Sequence, residues 1–372
     1  MKKNVMLLIT RTAATLLVFH LPPHKLCGAV GTVSAWGGAQ GSLPFSLTNV
    51  VSISTSADHS LALNANGTVS AWGCDYDGEC DVPAGLTNVT AVAAGDFFSL
   101  ALLANGTVVA WGTDDQGQCD IPTNLTNVTA ISAGHAHCLA VQANGAVAAW
   151  GWGAFGQTNI PAGLQSPTAI VAAGNYSMAL MSNGTVVAWG INDTGQTNVP
   201  SGLTGVTVLV GAKGYCLALE TNGTVAAWGA PPTLPASLSN VVAVAAGEYH
   251  GLALTSGGVV LDWGANQSGE GVVPAGLSNV ITIAAGWSYS LALDGSTTMV
   301  APVTLTHPTW SGNSFSVSLQ SQNGVSYILQ STSVLAPANW TALESASGTG
   351  GILTLTDTSA SDAYRFYRVQ SQ

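Results

Sequence analysis

The chain has 372 residues, 47% of them hydrophobic, with 7 Lys+Arg against 18 Asp+Glu and a net charge of −11. Its bases are Lys2, Lys3, Arg11, Lys25, Lys213, Arg365 and Arg368, so a single Lys and no Arg lie between Leu26 and Tyr364. Nucleic-acid affinity is built from Lys and Arg that neutralise phosphates, and a polybasic membrane patch needs the same residues. Both are excluded, as is Arg-dependent phosphoryl transfer in the middle of the chain. So apolar a chain, with 44 Gly and 11 Trp, does not match the disordered class.

Residues 1–28 open with MKKNVMLLITRTAATLLVF, two Lys before an apolar run that Arg11 interrupts. This resembles a secretory signal peptide and is too short for a spanning helix. It implies an extracellular or cell-surface protein with no stable membrane insertion after its removal. Six Cys do not make a disulfide scaffold. Cys74 and Cys80 flank one loop and are close enough in sequence to bridge. Cys138 and Cys216 stand where other repeats have Ser or Gly, which reads as small buried side chains.

Residues 29–296 are a repeat. Trp-Gly pairs occur at Trp36, Trp72, Trp111, Trp150, Trp189, Trp228 and Trp263, at spacings of 36, 39, 39, 39, 39 and 35. Residues 88–122, NVTAVAAGDFFSLALLANGTVVAWGTDDQGQCDIP, show the template. NVTAVAAG alternates as a strand, SLALLA alternates Leu with Ala, and TVVAWG is a third strand. Asn-Gly between the last two is a hairpin signal, read as a type I′ turn with positive φ at both residues. A fourth segment ending near Pro suits an edge strand. Three or four antiparallel strands per repeat, seven times over, predict an all-β, seven-bladed β-propeller. The first copy is only GTVSAWG, and the last stops after SLALDG. The orphan first strand is therefore expected to complete the last blade and close the ring.

The pattern AAGxxHSLAL…NGTVxAWGxNxxGQxxVP resembles the regulator of chromosome condensation repeat. The short period and the GQxxVPxGL ending look most like the secreted bacterial propellers of the β-lactamase-inhibitory protein II group. The first resemblance implies nucleotide exchange on a nuclear GTPase and chromatin binding, which the missing basic arms argue against. The second implies a non-enzymatic binding protein that docks one face, rich in aromatic loop residues, on an enzyme.

Residues 297–304 carry no repeat feature and read as a linker. From residue 305 to 372 the runs SFSVSLQ, VSYILQST, NWTAL, GILTLTD and YRFYRVQ are short alternating strands, which predict a small β-sandwich. The YxLQxSxxL…W and D…RFYRV patterns resemble C-terminal modules of exported bacterial proteins, for which attachment or sorting is the implied role.

Antiparallel order puts the loop after AAG and the loop after Trp-Gly at one end of each blade, and the Asn-Gly turns at the other. The Asn-Gly end barely varies between copies. The other end carries Asp75, Tyr76, Asp96, Phe97, Phe98, Asp114, His135, Trp152, Phe155, Tyr176, Tyr215, Glu248, Tyr249, Trp287 and Tyr289. Exposed aromatics anchor interfaces, so these are the candidate partner-binding residues. Residues 31–296 hold 15 acids and one base, and the expected partner is a protein with a basic or neutral patch. A glycan is the second candidate, since aromatics beside acids also suit sugars and an adhesive role. No cofactor is expected. His135-x-His137 lacks a third metal ligand, Asp75-x-Asp77-Gly78-Glu79 lacks the later ligands of a calcium loop, and Asp114-Asp115 lacks a general acid. The Asn-Gly-Thr sequons at Asn66, Asn105, Asn183 and Asn222 fall in the hairpin turns and read as turn chemistry.

Overall fold

A computed structural model describes residues 4–10, 13–17, 30–38, 43, 47–236, 238–277, 279–295, 305–311, 313–321, 326–332, 341–360 and 364–371. The linker expected at 297–304 and residues 18–29 of the leader lie outside them. The chain forms two compact units, Val30–Ser296 and, separately, Met1–Ala29 with Thr297–Gln372. The described residues form strands and turns, and no helix long and apolar enough to cross a membrane is present among them.

The larger unit is a series of antiparallel triplets. Val89–Ala94, Phe98–Leu103 and Val108–Gly112 are one of them, with Ala94 opposite Ser99 and Phe98 opposite Gly112. Five such three-stranded sheets run from Val89 to Gly264. A six-stranded sheet holds the remaining strands: the last hairpin, Val280–Ala285 and Tyr289–Gly295, then Gly31–Gly37, then the triplet beginning at Val50–Thr55. Gly31–Gly37 pairs with Tyr289–Gly295 along its whole length, from Tyr289 opposite Gly37 to Gly295 opposite Gly31. A single bridge between Gly31 and Val50 joins it to the triplet.

Two expectations about the repeat are corrected. The segment ending near Pro is not a fourth strand. Its amides are satisfied locally, with Val82 N–H donating to Cys80 O at 2.9 Å and Leu86 N–H to Pro83 O at 3.1 Å, so no ladder forms. The Asn-Gly turn is not type I′. Only the Gly has a positive φ, +81° at Gly67. Gly67 N–H donates to Asn64 O, and Asn64 N–H to Thr68 O, both at 2.9 Å. This is a type I turn closed by a left-handed glycine. Asn66 instead accepts the Thr68 amide through Oδ1 at 3.1 Å, as turn chemistry requires.

The Leu/Ala alternation of the middle strand explains how repeats join. Its five leading positions are buried on both sides. Leu61 and Leu63 of one repeat pack with Ala101 and Trp111 of the next. Leu100 and Leu102 pack with Ala140 and Trp150, and Leu217 and Leu219 with Ala253 and Trp263. The same contact links Leu252 and Leu254 to Ala292 and Trp36, and Leu291 and Leu293 to Ala62 and Trp72. Ala is needed because the neighbouring Trp and Leu occupy its side of the strand.

Each framework Trp also carries a polar handle. Trp111, Trp150, Trp189 and Trp228 donate Nε1–H to the carbonyls of Glu79, Gln118, Gln157 and Gln196 in the preceding repeat, at 2.8–3.0 Å. Trp36 donates likewise to Glu270 O at 2.8 Å. Trp72 and Trp263 have no partner for this group. The loops before them, after Trp36-Gly37 and after Trp228-Gly229, lack the Gly-Gln or Gly-Glu pair that supplies the carbonyl.

The residue that starts each middle strand forms a second link. His59, His137 and His250 hydrogen-bond through Nε2 to Ser99, Ser177 and Ser290 of the next repeat, at 2.8–2.9 Å. Tyr176 donates to Tyr215 O at 2.7 Å, Tyr215 to His250 O at 2.6 Å, and Tyr289 to His59 O at 2.8 Å. Phe98 fills the equivalent place. Phe98, Tyr176, Tyr215 and Tyr289 are at most 1% exposed. They are therefore withdrawn from the set of candidate partner contacts: they hold repeat to repeat. Cys138 and Cys216 take the place of Ser and are fully buried, each with its thiol on the carbonyl that Ser uses elsewhere. Cys74 and Cys80 are free thiols, and Cys80 Sγ donates to Cys74 O.

The second unit is a sandwich. Leu305–Ser311, Ser314–Gln320 and Ile352–Asp357 form one sheet, and Ser326–Thr332, Thr341–Ser347 and Tyr364–Ser371 belong to the other. Phe315, Val317, Leu319 and Leu355 meet Tyr327, Leu329, Tyr367 and Val369 in one core. Phe315 stacks on Tyr367 at 4.0 Å, and Tyr367 donates to Asp357 Oδ2 at 2.8 Å. Of the leader, Asn4–Thr10 lies antiparallel to Tyr364–Ser371, and Ala13–Leu17 folds back on it.

Two outcomes are expected. Trp36→Ala should cost ~3–5 kcal/mol by urea unfolding, as large a loss as Trp111→Ala in mid-chain. A loss below about 1 kcal/mol would mean that Gly31–Gly37 is not part of the core. Burial lowers His59 and His137 to about 4. A folded-state value below the unfolded one means that the native state binds fewer protons, so stability falls as pH drops from about 6.5 towards 4. His137→Tyr, which reproduces the Tyr289–Ser60 pairing at Ser177, should remove roughly 2–3 kcal/mol of the loss between pH 7 and pH 4. Parallel unfolding curves at both pH values check this.

Candidate functional site

The register places the two variable loops of each repeat together. His59 lies opposite Gly73, and Thr55 opposite Ser60, so the AAG loop and the Trp-Gly loop leave the same end of the sheet. In the AAG loop three successive residues have three different fates, counted back from the buried His, Tyr or Phe of the middle strand.

The residue two before it turns inward. Ala57, Asp96, Gly174, Lys213, Glu248 and Trp287 occupy this position in six repeats, and all line one funnel. His135 holds it in the remaining repeat, with its amide on Gly174 O at 3.0 Å and its Nε2 3.6 Å from Asp96 Oδ2. The funnel wall below is made of Thr55, Ala94, Ala133, Ala172, Gly211, Ala246 and Ala285, one from each repeat. Small residues are required there, because the first strands converge. A Cβ at Gly211 would lie 2.7 Å from both Ala173 Cβ and the Tyr176 hydroxyl.

Electrostatics set this ring apart. Burial, and then the Glu248 carboxylate, push Asp96 up to about 7. Burial, and then Glu79 and Glu248, raise Asp58. Burial first, and Lys213 second, lower His135. Lys213 Nζ is 3.5 Å from Glu248 Oε1.

The residue one before the buried position varies from repeat to repeat, and Asp58 and Ala136 are buried there. It is Tyr249 in one repeat, 52% exposed, and Phe97, half-buried, in another. Tyr249 and Trp287 border a groove floored by Gln267, Ser268, Glu270 and Ser288. Just after Trp150-Gly151, Trp152 lies 5.9 Å from His135 and meets Phe155 edge-on at 5.2 Å. Tyr76 is 74% exposed, Phe155 44% and Trp287 42%. With Tyr249 they are the exposed aromatics among the described residues of this unit, and all four lie at the loop end.

Asp75 and Asp114 are exposed, but each has a turn role. Asp75 Oδ1 accepts the Cys80 amide at 3.0 Å, and Asp114 Oδ1 the Cys119 amide at 2.7 Å. Asn192 and Asn266 do the same in their loops. The carboxylate of Glu79 accepts the Tyr76 and Asp77 amides, so the acids of the calcium-like run serve their own loop. Among the described residues no group of three or more His, Cys, Asp or Glu is placed to hold a metal ion. One charged residue of the funnel, Lys213, was not among the candidate contacts read from the sequence. Its place two residues before the buried Tyr215 was the available signal.

The Regulator of chromosome condensation (RCC1) repeat matches residues 50–79, 89–118 and 241–270. No curated protein matches the chain. Among solved structures, yeast RCC1 (Prp20) bound to Kap60 is 19% identical with a TM-score of 0.62, covering 78% of this chain and 97% of that chain. Prp20p from Saccharomyces cerevisiae, described with its binding to Gsp1p and histones, is 18% identical at a TM-score of 0.59, covering 73% and 93%. Human WBSCR16 is 17% identical at 0.59, covering 72% and 99%. At these identities the likeness is one of fold. Three segments of the chain match the RCC1 repeat, and its fold is that of an RCC1-type β-propeller.

Proposed function

We propose that this chain is a non-enzymatic binding protein, inhibitor-like or scaffold-like, that engages a protein partner through the loop end of its propeller. The observation that carries the reading is the one-sidedness of the exposed aromatics: Tyr76, Phe155, Tyr249 and Trp287 share an end with Asp75, Asp96, Asp114 and Glu248, and the Asn-Gly end has none. Aromatic anchors amid charge are the composition of a protein interface. The repeats are read as seven blades closed by Gly31–Gly37, supported by its pairing with Tyr289–Gly295 and by the packing of Leu291 and Leu293 on Trp72. A rigid ring presents loops with little entropy left to lose on binding. The yeast likeness, described with Gsp1p, histones and Kap60, supports a protein partner in kind. The acidic surface favours one with a basic or neutral patch. The leader composition supports export, and the resemblance to the β-lactamase-inhibitory protein II group agrees with an extracellular or cell-surface setting.

A second reading is carbohydrate binding. It is favoured by the groove between Tyr249 and Trp287, where amide, hydroxyl and carboxylate groups lie beside aromatic faces. Nucleotide exchange would follow from the family name alone.

The loop-end reading predicts that replacing Tyr76, Phe155, Tyr249 and Trp287 by Ala lowers partner recovery at least tenfold in a pull-down with the full chain. Substituting Asn66, Asn105 and Asn183 at the opposite end should leave it unchanged. Equal recovery by both variants would sink the idea. Retention on a glycan array with no protein recovered would favour the second reading, and accelerated nucleotide release from a small GTPase the third.

A further inference from the structure

Among the described residues, the second unit has one regular sheet edge that the chain's own leader covers. Without residues 4–17 its two sheets have three strands each: Leu305–Ser311, Ser314–Gln320 and Ile352–Asp357 in one, and Thr341–Ser347, Ser326–Thr332 and Tyr364–Ser371 in the other. An open sheet edge is a row of unpaired N–H and C=O groups that templates a further strand unless something blunts it. Three of the four edges are blunted or engaged. Leu305–Ser311 carries Pro308, which has no N–H, and its ladder breaks between Thr306 and Thr309. The ladder of Thr341–Ser347 breaks opposite Leu329 and Gln330, and its Glu344 carboxylate accepts the Thr356 amide of Ile352–Asp357, so these two edges engage one another. Tyr364–Ser371 has no such device. It pairs without a break along Tyr327–Thr332, holds no Pro and no acid, and is 8 residues long. Asn4–Thr10 lies on that edge in continuous register, from Asn4 opposite Gln370 to Thr10 opposite Tyr364. Val5 and Leu7 come opposite Val369 and Tyr367, which belong to the sandwich core. Ala13–Leu17 then pairs with the outer side of the leader strand.

We propose that Tyr364–Ser371 is a strand-acceptor edge, and that residues 4–10 of the chain are its occupant, released when the leader is removed. An extended segment that adds to a sheet edge gains affinity from main-chain hydrogen bonds and specificity from its alternate side chains. In an antiparallel sheet every second residue of Tyr364–Ser371 turns its N–H and C=O towards Ser326–Thr332, and the others turn theirs towards the leader. The leader strand adds at the margin of a sheet whose counterpart has three strands. Its departure leaves two sheets that still face each other across Phe315, Leu355, Leu329 and Val369. Removal of the leader therefore converts a closed edge into an open one on a folded module. The segment that fits the opened edge is an extended strand of 7 residues with apolar side chains at the register positions of Val5 and Leu7. The inference concerns the second unit and holds whether or not the loop end of the propeller binds a protein.

The test is hydrogen exchange, followed residue by residue, on three proteins: the full chain, the full chain with Val5→Asp and Leu7→Asp, and the chain from Val30 onward. In the full chain the amides along Tyr364–Ser371 are expected to be protected on both sides of the strand. In the other two proteins every second amide of that strand should exchange at least a hundredfold faster, while Ser314–Gln320 and the amides that face Ser326–Thr332 keep their protection. A synthetic peptide of residues 2–12, added to the shortened chain, should restore the lost protection. The same peptide with both Asp substitutions should not. Unchanged exchange along Tyr364–Ser371 in the altered proteins, no restoration by the peptide, or equal restoration by its Asp form would overturn the proposal. Full protection of the edge in a shortened chain that runs as a dimer would give the edge to a second copy and overturn the leader as its occupant. Loss of protection at Ser314–Gln320 as well would make the leader part of the core and overturn its release from a folded module.

Discussion

The structure depends on one repeated contact, the seating of each repeat's leucines on the alanine and tryptophan of the next. Because the middle strand is buried on both sides, neither half of the contact survives without a neighbour. A repeat of this kind cannot stand alone, and stability is a sum of neighbour interfaces. The charge deficit follows from the same constraint. A strand buried on two faces has no position for Lys or Arg, and the small residues that crowd the funnel have none either. Charge is left to the loops, where acids also serve as turn formers at Asp75 and Asp114.

The polar links are equally regular and explain which substitutions the repeat tolerates. The buried carbonyl of the Gly-Gln or Gly-Glu pair serves both the next Trp and the next Ser or Cys. Gln157 O, for example, accepts from Trp189 Nε1 and from Ser177 Oγ. Ser and Cys exchange at this place because either can donate to it. His, Tyr and Phe exchange at the start of the middle strand because each fills the same space between repeats, and the first two add a hydrogen bond across it. Where a loop departs from the pattern, the partner is lost, as at Trp72 and Trp263.

Period, strand order and the shared end of the two loop sets were legible in the sequence, because Trp-Gly spacing and Leu/Ala alternation are local signals that repeat seven times. Three features were not. The turn type was misread, since Asn-Gly suits both a type I′ turn and a type I turn with a left-handed glycine, and the loop length decides between them: three residues, 65–67, lie between the paired Asn64 and Thr68. A fourth strand was expected at the Pro segment, whose amides are taken by local turns. The loop aromatics were read as one class, although neighbours in sequence point to the funnel, the rim and the inter-repeat core. Tyr249 and His250 are adjacent, yet one is 52% exposed and the other fully buried. Composition could not separate them, and the count back from the strand start does. Lys213, first noticed as the lone base of the repeat region, becomes a residue with a defined place in the funnel ring.

The central claim is that every repeat, the last included, is seated on a successor. Hydrogen exchange followed residue by residue tests it most directly, because an open series frays from its ends while a closed one does not. The amides of Gly31–Gly37 and Tyr289–Gly295 are predicted to be protected as strongly as those of Phe98–Leu103 and Tyr176–Leu180. Exchange at these two strands a hundredfold or more faster than in the mid-chain strands would contradict the account.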